Sequence, residues 1–377
     1  MRRVLKQYHL WLGLTLGFFW ALQGLTGACL VFHDALERLT VPRPTGGAIA
    51  PIADILRSTD QELHGASITR LTITDEHSDL IEVSYVDQRG HPRAFLVDAA
   101  TAKLLGQRDL EPATPFTGSV IHWLLYVHTN LLSGRVGQIL VGISGVVLLT
   151  AALTGLWLAW PQRGGWKWVY AWRLWRTRLQ WLYGLHRALG LSAAAFIVFS
   201  ALSGAWMTFA DELRPALARI VPHQLPYRPR RAALLRITIS ADQALATAGA
   251  RLPHARWARV TLPTAKSPVY TIRFHQPEEG AWLGRTSVAV DAATGRIESV
   301  YDSTAAPLSN RIIDTLLPLH NGEQFGLLTE ATLMLIGLSL PTLYTTALWR
   351  WLAPRRRRAL ALRPSQRYNV LHDDKKQ

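Results

Sequence analysis

Cysteine is almost missing: Cys29 is the single one in 377 residues. That excludes a disulfide framework, four-cysteine zinc sites, iron–sulfur clusters and C-x-x-C-H haem attachment. Methionine is scarce at three residues. Charge is scarce too, at 18%, against about 25% in an ordinary soluble protein. Hydrophobic residues fill the gap at 49%, fifteen of them Trp. Mean hydropathy is only +0.09, so the apolar residues are concentrated in blocks, which excludes a disordered chain.

Four blocks are long enough to cross a bilayer, which takes about 20 apolar residues. They are Leu10 to Phe32, Val136 to Trp160, Ala188 to Ala210, and Ala331 to Trp349 with an extension over Phe325 to Leu328. The first is too long for a signal peptide and no clear cleavage pattern follows it. No acidic residue lies within these blocks. Arg2, Arg3 and Lys6 precede the first block. Arg163, Lys167, Arg173, Arg176, Arg178 and Arg187 lie between the second and third. Arg350, Arg355 to Arg358, Arg363, Arg367, Lys375 and Lys376 follow the fourth. With Asp373 and Asp374 these segments carry +16, and the rest of the chain carries −1. The positive-inside rule then expects both termini in the cytoplasm. Basic flanks beside apolar blocks suit anionic lipid and need no nucleic acid. The aromatic run Trp166, Trp168, Tyr170, Trp172, Trp175, Trp181 suits the membrane interface.

The expected organisation is a mostly α integral membrane protein with four transmembrane helices in a two-fold pseudo-symmetric bundle. Its order is helix 1 (1–33), outside domain 1 (34–135), helix 2 (136–160), a basic cytoplasmic loop (161–187), helix 3 (188–210), outside domain 2 (211–324), helix 4 (325–352) and a basic cytoplasmic tail (353–377). The domains read as two small α+β modules. Strand-like alternation covers Ile68 to Thr74, Leu80 to Val86 and Arg93 to Val97, then Arg259 to Leu262, Val269 to Phe274 and Thr286 to Val290. Residues 51–64 and 240–250 suit preceding helices, and Phe116 to Leu132 a long apolar helix leading back to the membrane.

The chain repeats itself. At an offset of 177, eleven of the 28 positions from His9 to Leu36 are identical, among them His9/His186, Gly13/Gly190, Gly27/Gly204 and Asp34/Asp211. Val97-Asp98-Ala-Ala-Thr101 recurs as Val290-Asp291-Ala-Ala-Thr294, and Leu124-Leu125-Tyr-Val-His128 as Leu316-Leu317-Pro-Leu-His320. Both copies start on the same side, so they are parallel repeats about an axis along the membrane normal.

Four of the thirteen histidines obey the repeat: His9 with His186, and His128 with His320. Two facing imidazoles can supply both axial ligands of one b-type haem. Two pairs at opposite edges would bind two bis-His haems and make an electron path across the membrane. His9 to His33 spans 24 residues, about 36 Å of helix, so no single haem draws ligands from both edges. Gly13, Gly17, Gly24, Gly27, Gly190 and Gly204 either leave room for a macrocycle or mark close helix contacts. The plainer reading of each His is an interfacial residue bonded to backbone or headgroup. His33 sits at a depth suited to an alternative ligand of the outer haem; His122 reads as structural or substrate-facing. His64, His77, His91, His223, His254, His275 and His372 read as surface residues, and Met207 and Met334 as packing.

His9-x-x-x-Gly13-Leu with Leu25-Thr26-Gly27, its echo in the third block, and Pro318-Leu319-His320-Asn321-Gly322-Glu323-x-Phe325-Gly326 resemble the PepSY-associated transmembrane helix family, over roughly residues 3–352. The Val-Asp-Ala-Ala-Thr segments resemble its PepSY-like modules. One branch holds inner-membrane ferrisiderophore reductases with two b-type haems, which pass electrons outward and release Fe(II). The resemblance implies His9, His186, His128 and His320 as the haem-iron ligands and periplasmic ferric siderophores as substrate. The first half departs from the Pro-Leu-His form, having Tyr126-Val-His128-Thr-Asn130. Some relatives carry a flavin-reductase module; here no G-x-G-x-x-G follows a strand. A membrane quinol or a separate cytoplasmic reductase must then supply electrons. Trp123, Tyr126, Phe325 and outside arginines are candidates for lining the substrate site. The competing reading is a non-enzymatic, membrane-anchored PepSY protein that binds or regulates peptidases. A transporter would also fit a parallel repeat, but lacks acids in its spans to carry a coupling ion.

Overall fold

The computed structural model describes residues 1–39, 41, 43–63, 66–74, 79–112, 114–116, 119–161, 165–171, 175–227, 236–279 and 284–361. His64, His77, His372, Arg163, Trp172, Arg173 and the charged residues beyond 361 lie outside them.

Along the chain come helices α1 (Arg2–Thr15), α2 (Gly17–Leu30), α3 (His33–Arg38) and α4 (Ile52–Asp60). Strands β1 (Ser67–Ile73), β2 (Leu80–Val86), β3 (Pro92–Asp98) and β4 (Leu104–Asp109) follow. Then come α5 (Val120–Asn130), α6 (Gly134–Ala159), α7 (Trp166–Val169), α8 (Arg178–Thr208), α9 (Ala210–Leu217) and α10 (Ala241–Gly249). Strands β5 (Arg256–Thr261), β6 (Val269–His275), β7 (Thr286–Asp291) and β8 (Ile297–Tyr301) precede α11 (Leu308–Asn321) and α12 (Leu327–Ala361). The chain divides into two compact units, Met1–Leu25 with Val147–Val198 and Ile336–Gln377, and Thr26–Val146 with Phe199–Leu335.

Helices α6, α8 and α12 are each long and apolar enough to cross a membrane; α1 and α2 qualify only as a pair bent by 61°. The expected straight first span is thus broken at Leu16. Thr15 Oγ1 bonds back to the Trp11 carbonyl at 2.8 Å, a contact that bends helices, and Gly17 opens the second piece. A Cβ at Gly17 would lie 2.6 Å from Tyr344, and one at Gly24 2.4 Å from the Gly337 carbonyl. These two glycines therefore serve close helix contact with α12. Helix α12 (Leu327–Ala361) begins inside the expected helix 4 (325–352), runs past its end, and holds Glu330 in its first turn.

The second unit contains an eight-stranded antiparallel sheet in the order β4-β3-β2-β1-β5-β6-β7-β8. The sequence suggested two separate three-stranded modules. Each half adds a fourth strand, and the halves join where β1 pairs with β5: Arg70 faces Thr261, Leu71 faces Val260 and Thr72 faces Arg259. The join removes two open edges that would otherwise offer unpaired backbone groups. Period-two alternation sends Leu71, Ile81, Val83, Val97, Val260, Ile272, Val288 and Val290 to one face, fully buried with Ile52 and Ile55 of α4 and Ala244 and Ala248 of α10. Each such large aliphatic contributes roughly 1.5–3 kcal/mol. Asp242 of α10 accepts the backbone N–H groups of Ile52 and Ala53 at 2.8 and 2.9 Å, so an acid from one half caps the first turn of the other half's helix. The two Asp-Ala-Ala-Thr turns are built alike. Asp98 Oδ1 accepts from the N–H of Ala100 and Thr101, and Asp291 Oδ1 from Ala293 and Thr294.

Candidate functional site

The structure brings together both histidine pairs expected from the repeat. In the first unit His9 of α1 faces His186 of α8, ring centres 6.4 Å apart and planes at 82°. In the second, His128 of α5 faces His320 of α11, ring centres again 6.4 Å apart and planes at 60°. A metal–imidazole bond is about 2 Å and the bonded nitrogen lies about 1.1 Å from its ring centre, so one iron between two axial imidazoles places ring centres about 6.3 Å apart. Both separations fit bis-His ligation. They are too wide for a direct hydrogen bond between the rings, and the 82° His9–His186 pair also lies within the range of about 4.5–7 Å for an edge-to-face ring contact.

Each ring is held through Nδ1. His9 Nδ1 lies 3.0 Å from the Ala151 carbonyl and 3.4 Å from Thr154 Oγ1. His186 Nδ1 lies 3.0 Å from the Leu343 carbonyl and 3.1 Å from Thr346 Oγ1. Ala151 and Thr154 precede Leu343 and Thr346 by the 192 residues that separate His128 from His320. His128 Nδ1 bonds Thr26 Oγ1 at 3.0 Å, and His320 Nδ1 bonds Ser203 Oγ at 2.8 Å. Metal-binding imidazoles are commonly fixed this way, by a partner on the other nitrogen that sets tautomer and ring orientation. Thr154/Thr346 and Thr26/Ser203 were not among the expected site residues. Their signal was present: Thr150 and Thr154 recur as Thr342 and Thr346.

Glycines give the rings their room. A Cβ at Gly155 would lie 2.7 Å from His9 Cε1, one at Gly27 3.1 Å from His128 Cε1, and one at Gly204 3.6 Å from His320 Cε1. Gly27 and Gly204 thus border the imidazoles. Gly13 has no atom within 4 Å of such a Cβ, which leaves its side of α1 open four residues after His9.

His33 is engaged elsewhere. Its Nδ1 bonds the Leu30 carbonyl at 2.9 Å and its Nε2 lies 4.0 Å from Glu323 Oε1; the ring facing His128 is that of His320. His122 Nδ1 is buried without a partner. Burial, with Arg108 and His33 nearby, pushes its pKa down to about 4, so it is neutral at physiological pH. His91 and His254 are exposed, as expected. His223 and His275 are not free surface residues: they are half-buried and bond Ser309 Oγ at 3.1 Å and the Glu279 carbonyl at 3.0 Å. Tyr126 donates to Glu111 Oε1 at 2.7 Å, and Phe325 is exposed. Among the described residues no three His, Cys, Asp or Glu side chains converge.

Residues 6–353 match the family described as PepSY-associated TM region. The chain belongs to that family. No curated protein matches it. Membership covers the helices and the sheet alike, and so makes this a membrane protein whose sheet belongs to the family architecture.

Proposed function

We propose that the chain is an inner-membrane, haem-dependent reductase carrying electrons from a cytoplasmic-side or quinol donor to ferric siderophores in the periplasm. In this reading it crosses the membrane four times, the bent α1–α2 pair counting as one crossing, with both termini inside. The +16 charge beside the apolar blocks supports that orientation. The observation that carries the reading is the pair of 6.4 Å imidazole separations, each with both Nδ1 atoms tied down.

A b-type haem bound at each pair supplies one-electron redox chemistry. The chain's own part is to hold and orient. His9 and His186 present Nε2 from two helices, and the carbonyls of Ala151 and Leu343 fix their rings. His128 and His320 do the same from α5 and α11, with hydroxyl partners in place of carbonyls. No acid–base residue is required at the chelate, because ferric siderophores lose most of their affinity on one-electron reduction to Fe(II).

The test is the absorbance spectrum of the purified full chain. A Soret band, a sharp reduced α-band and two haems per chain are expected, with oxidation of the reduced protein by added ferric siderophore. A protein that expresses and folds but takes up no haem refutes the reading, and leaves the peptidase-binding alternative.

A further inference from the structure

The face of the sheet opposite its apolar core is rich in arginine. Strand pairing sets Arg259 of β5 directly opposite Arg273 of β6. Arg70 of β1 lies opposite Thr261, and Thr72 opposite Arg259. Arg285 enters β7 on the side of Ser287, which pairs with Arg273. The partners of this face, Val260 with Ile272 and Leu71 with Val260, point the other way into the core. Four half-buried guanidinium groups therefore gather on adjacent strands. Like charges directly opposite one another destabilise a sheet, and the acids nearby are already committed.

Glu82 is bound by Arg108, at 3.0 Å from Nε, and by Ser84. Glu279 accepts the backbone N–H groups of Gln276, Arg285 and Thr286. Asp314 accepts from Tyr301. Among the described residues none of the four arginines joins an ion pair. Arg70 and Arg259 reach only the neutral hydroxyls of Ser84 and Thr72, at 3.3 and 3.2 Å, and Arg70 Nε is buried with no partner. Burial, then the charges of Arg273 and Arg70, bring Arg259 down to about 10, and burial with Arg285 lowers Arg273. The acids the cluster does feel are Asp314 and Glu279 at Arg273, Asp314 at Arg285, and Glu82 at Arg259 and Arg70; Asp314 lies six residues before His320 on α11.

We propose that Arg70, Arg259, Arg273 and Arg285 bind the chelate, and that this chelate is a polyanion, a ferric complex rich in catecholate or carboxylate oxygens, rather than a neutral one. The assignment rests on the reductase reading above. An anion bearing several oxygens neutralises four guanidinium groups at once and satisfies their unused N–H donors. The opposed Arg259–Arg273 pair is then a cost of the empty protein, relieved by ligand.

The test uses the full chain in detergent and redox-inert gallium(III) complexes, followed by calorimetry. The trianionic gallium tris-catecholate should bind at least about tenfold more tightly than a neutral gallium tris-hydroxamate, and its affinity should fall with salt. Arg259→Gln and Arg273→Gln should each weaken it about tenfold or more, while melting temperature stays level or rises as the like-charge repulsion is removed. Should either variant fail to fold, Ser287→Asp sets an acid opposite Arg273 and should abolish binding with the fold intact. Equal affinity for the neutral complex, or undiminished binding in a folded variant, overturns the proposal. Gallium binding needs neither haem nor electrons, so the two readings fail separately. Binding without haem sinks the reductase reading; haem and ferric reduction without charge-selective binding sink this one.

Discussion

Alanine at the three glycines beside the paired imidazoles should act in a graded way that the distances fix. Ordinary contact begins near 3.4 Å, and a Cβ at Gly155 would stand 2.7 Å from His9 Cε1. The His9 ring must then retreat by about 0.7 Å, more than the roughly 0.5 Å a preorganised site tolerates. It cannot slide freely, because Nδ1 is tied to the Ala151 carbonyl at 3.0 Å. At Gly27 the Cβ would stand 3.1 Å from His128 Cε1, a retreat of about 0.3 Å that stays within that tolerance. At Gly204 the distance is 3.6 Å, already an ordinary contact. Gly155→Ala should therefore lose about one of the two haems. Gly27→Ala should keep both with shifted low-spin signals, and Gly204→Ala should match the parent. Pyridine haemochrome titration gives the haem count, and electron paramagnetic resonance the ligand geometry. Full haem content with unchanged resonances in Gly155→Ala, or haem loss in Gly204→Ala, would refute the sandwich geometry.

His186→Ala should remove one haem and stop reduction from an inside donor, while the remaining haem still accepts electrons from a soluble outside reductant. His320→Ala should leave the inner haem reducible and the ferric chelate oxidised; optical titration of each variant checks both. Asp98 is buried, which by itself raises a carboxyl pKa, yet bonds from Thr45 and Thr101 hold it below its ordinary value. Its contribution is therefore full above the unfolded value of 3.8 and is lost as pH falls below that. Asp98→Asn should cost about 1–3 kcal/mol at neutral pH, with a smaller difference from the parent on the acid side in melting curves. A reporter fused after Gln377 should be active only in the form that works in the cytoplasm; periplasmic activity would overturn the orientation.

Much of this fold is legible because its periods are local. Alternation placed β2 at its observed bounds and the other five expected strands within three residues. Strands β4 and β8 escaped because Leu104–Asp109 and Ile297–Tyr301 are short outer strands with little full burial. The β1–β5 join could not be read, since pairing between residues about 190 apart leaves no local period. The histidine pairs were legible through the repeat. Their anchors were less legible, because a Thr on an apolar helix looks like packing until an imidazole is seen beside it. The arginine face was hidden because β1, β5 and β6 each contribute a single one of its four arginines, which reads as solvent-facing until the register aligns it across strands.

The β1–β5 junction also bears on where such a chain comes from. Arg70-Leu-Thr72 and Arg259-Val-Thr261 are the same motif in the two repeats, and each Arg sits opposite the other strand's Thr. A strand that pairs antiparallel with its own copy in this register is self-complementary, as in an isologous dimer interface. A protein half this long would expose that edge and close its sheet by homodimerisation, with each facing histidine pair contributed by two subunits. Joining the copies in one chain fixes their stoichiometry and frees the two sides to diverge. The exchange of Tyr126-Val for Pro318-Leu before the matched histidines is a change that a strict homodimer could not make on one side alone.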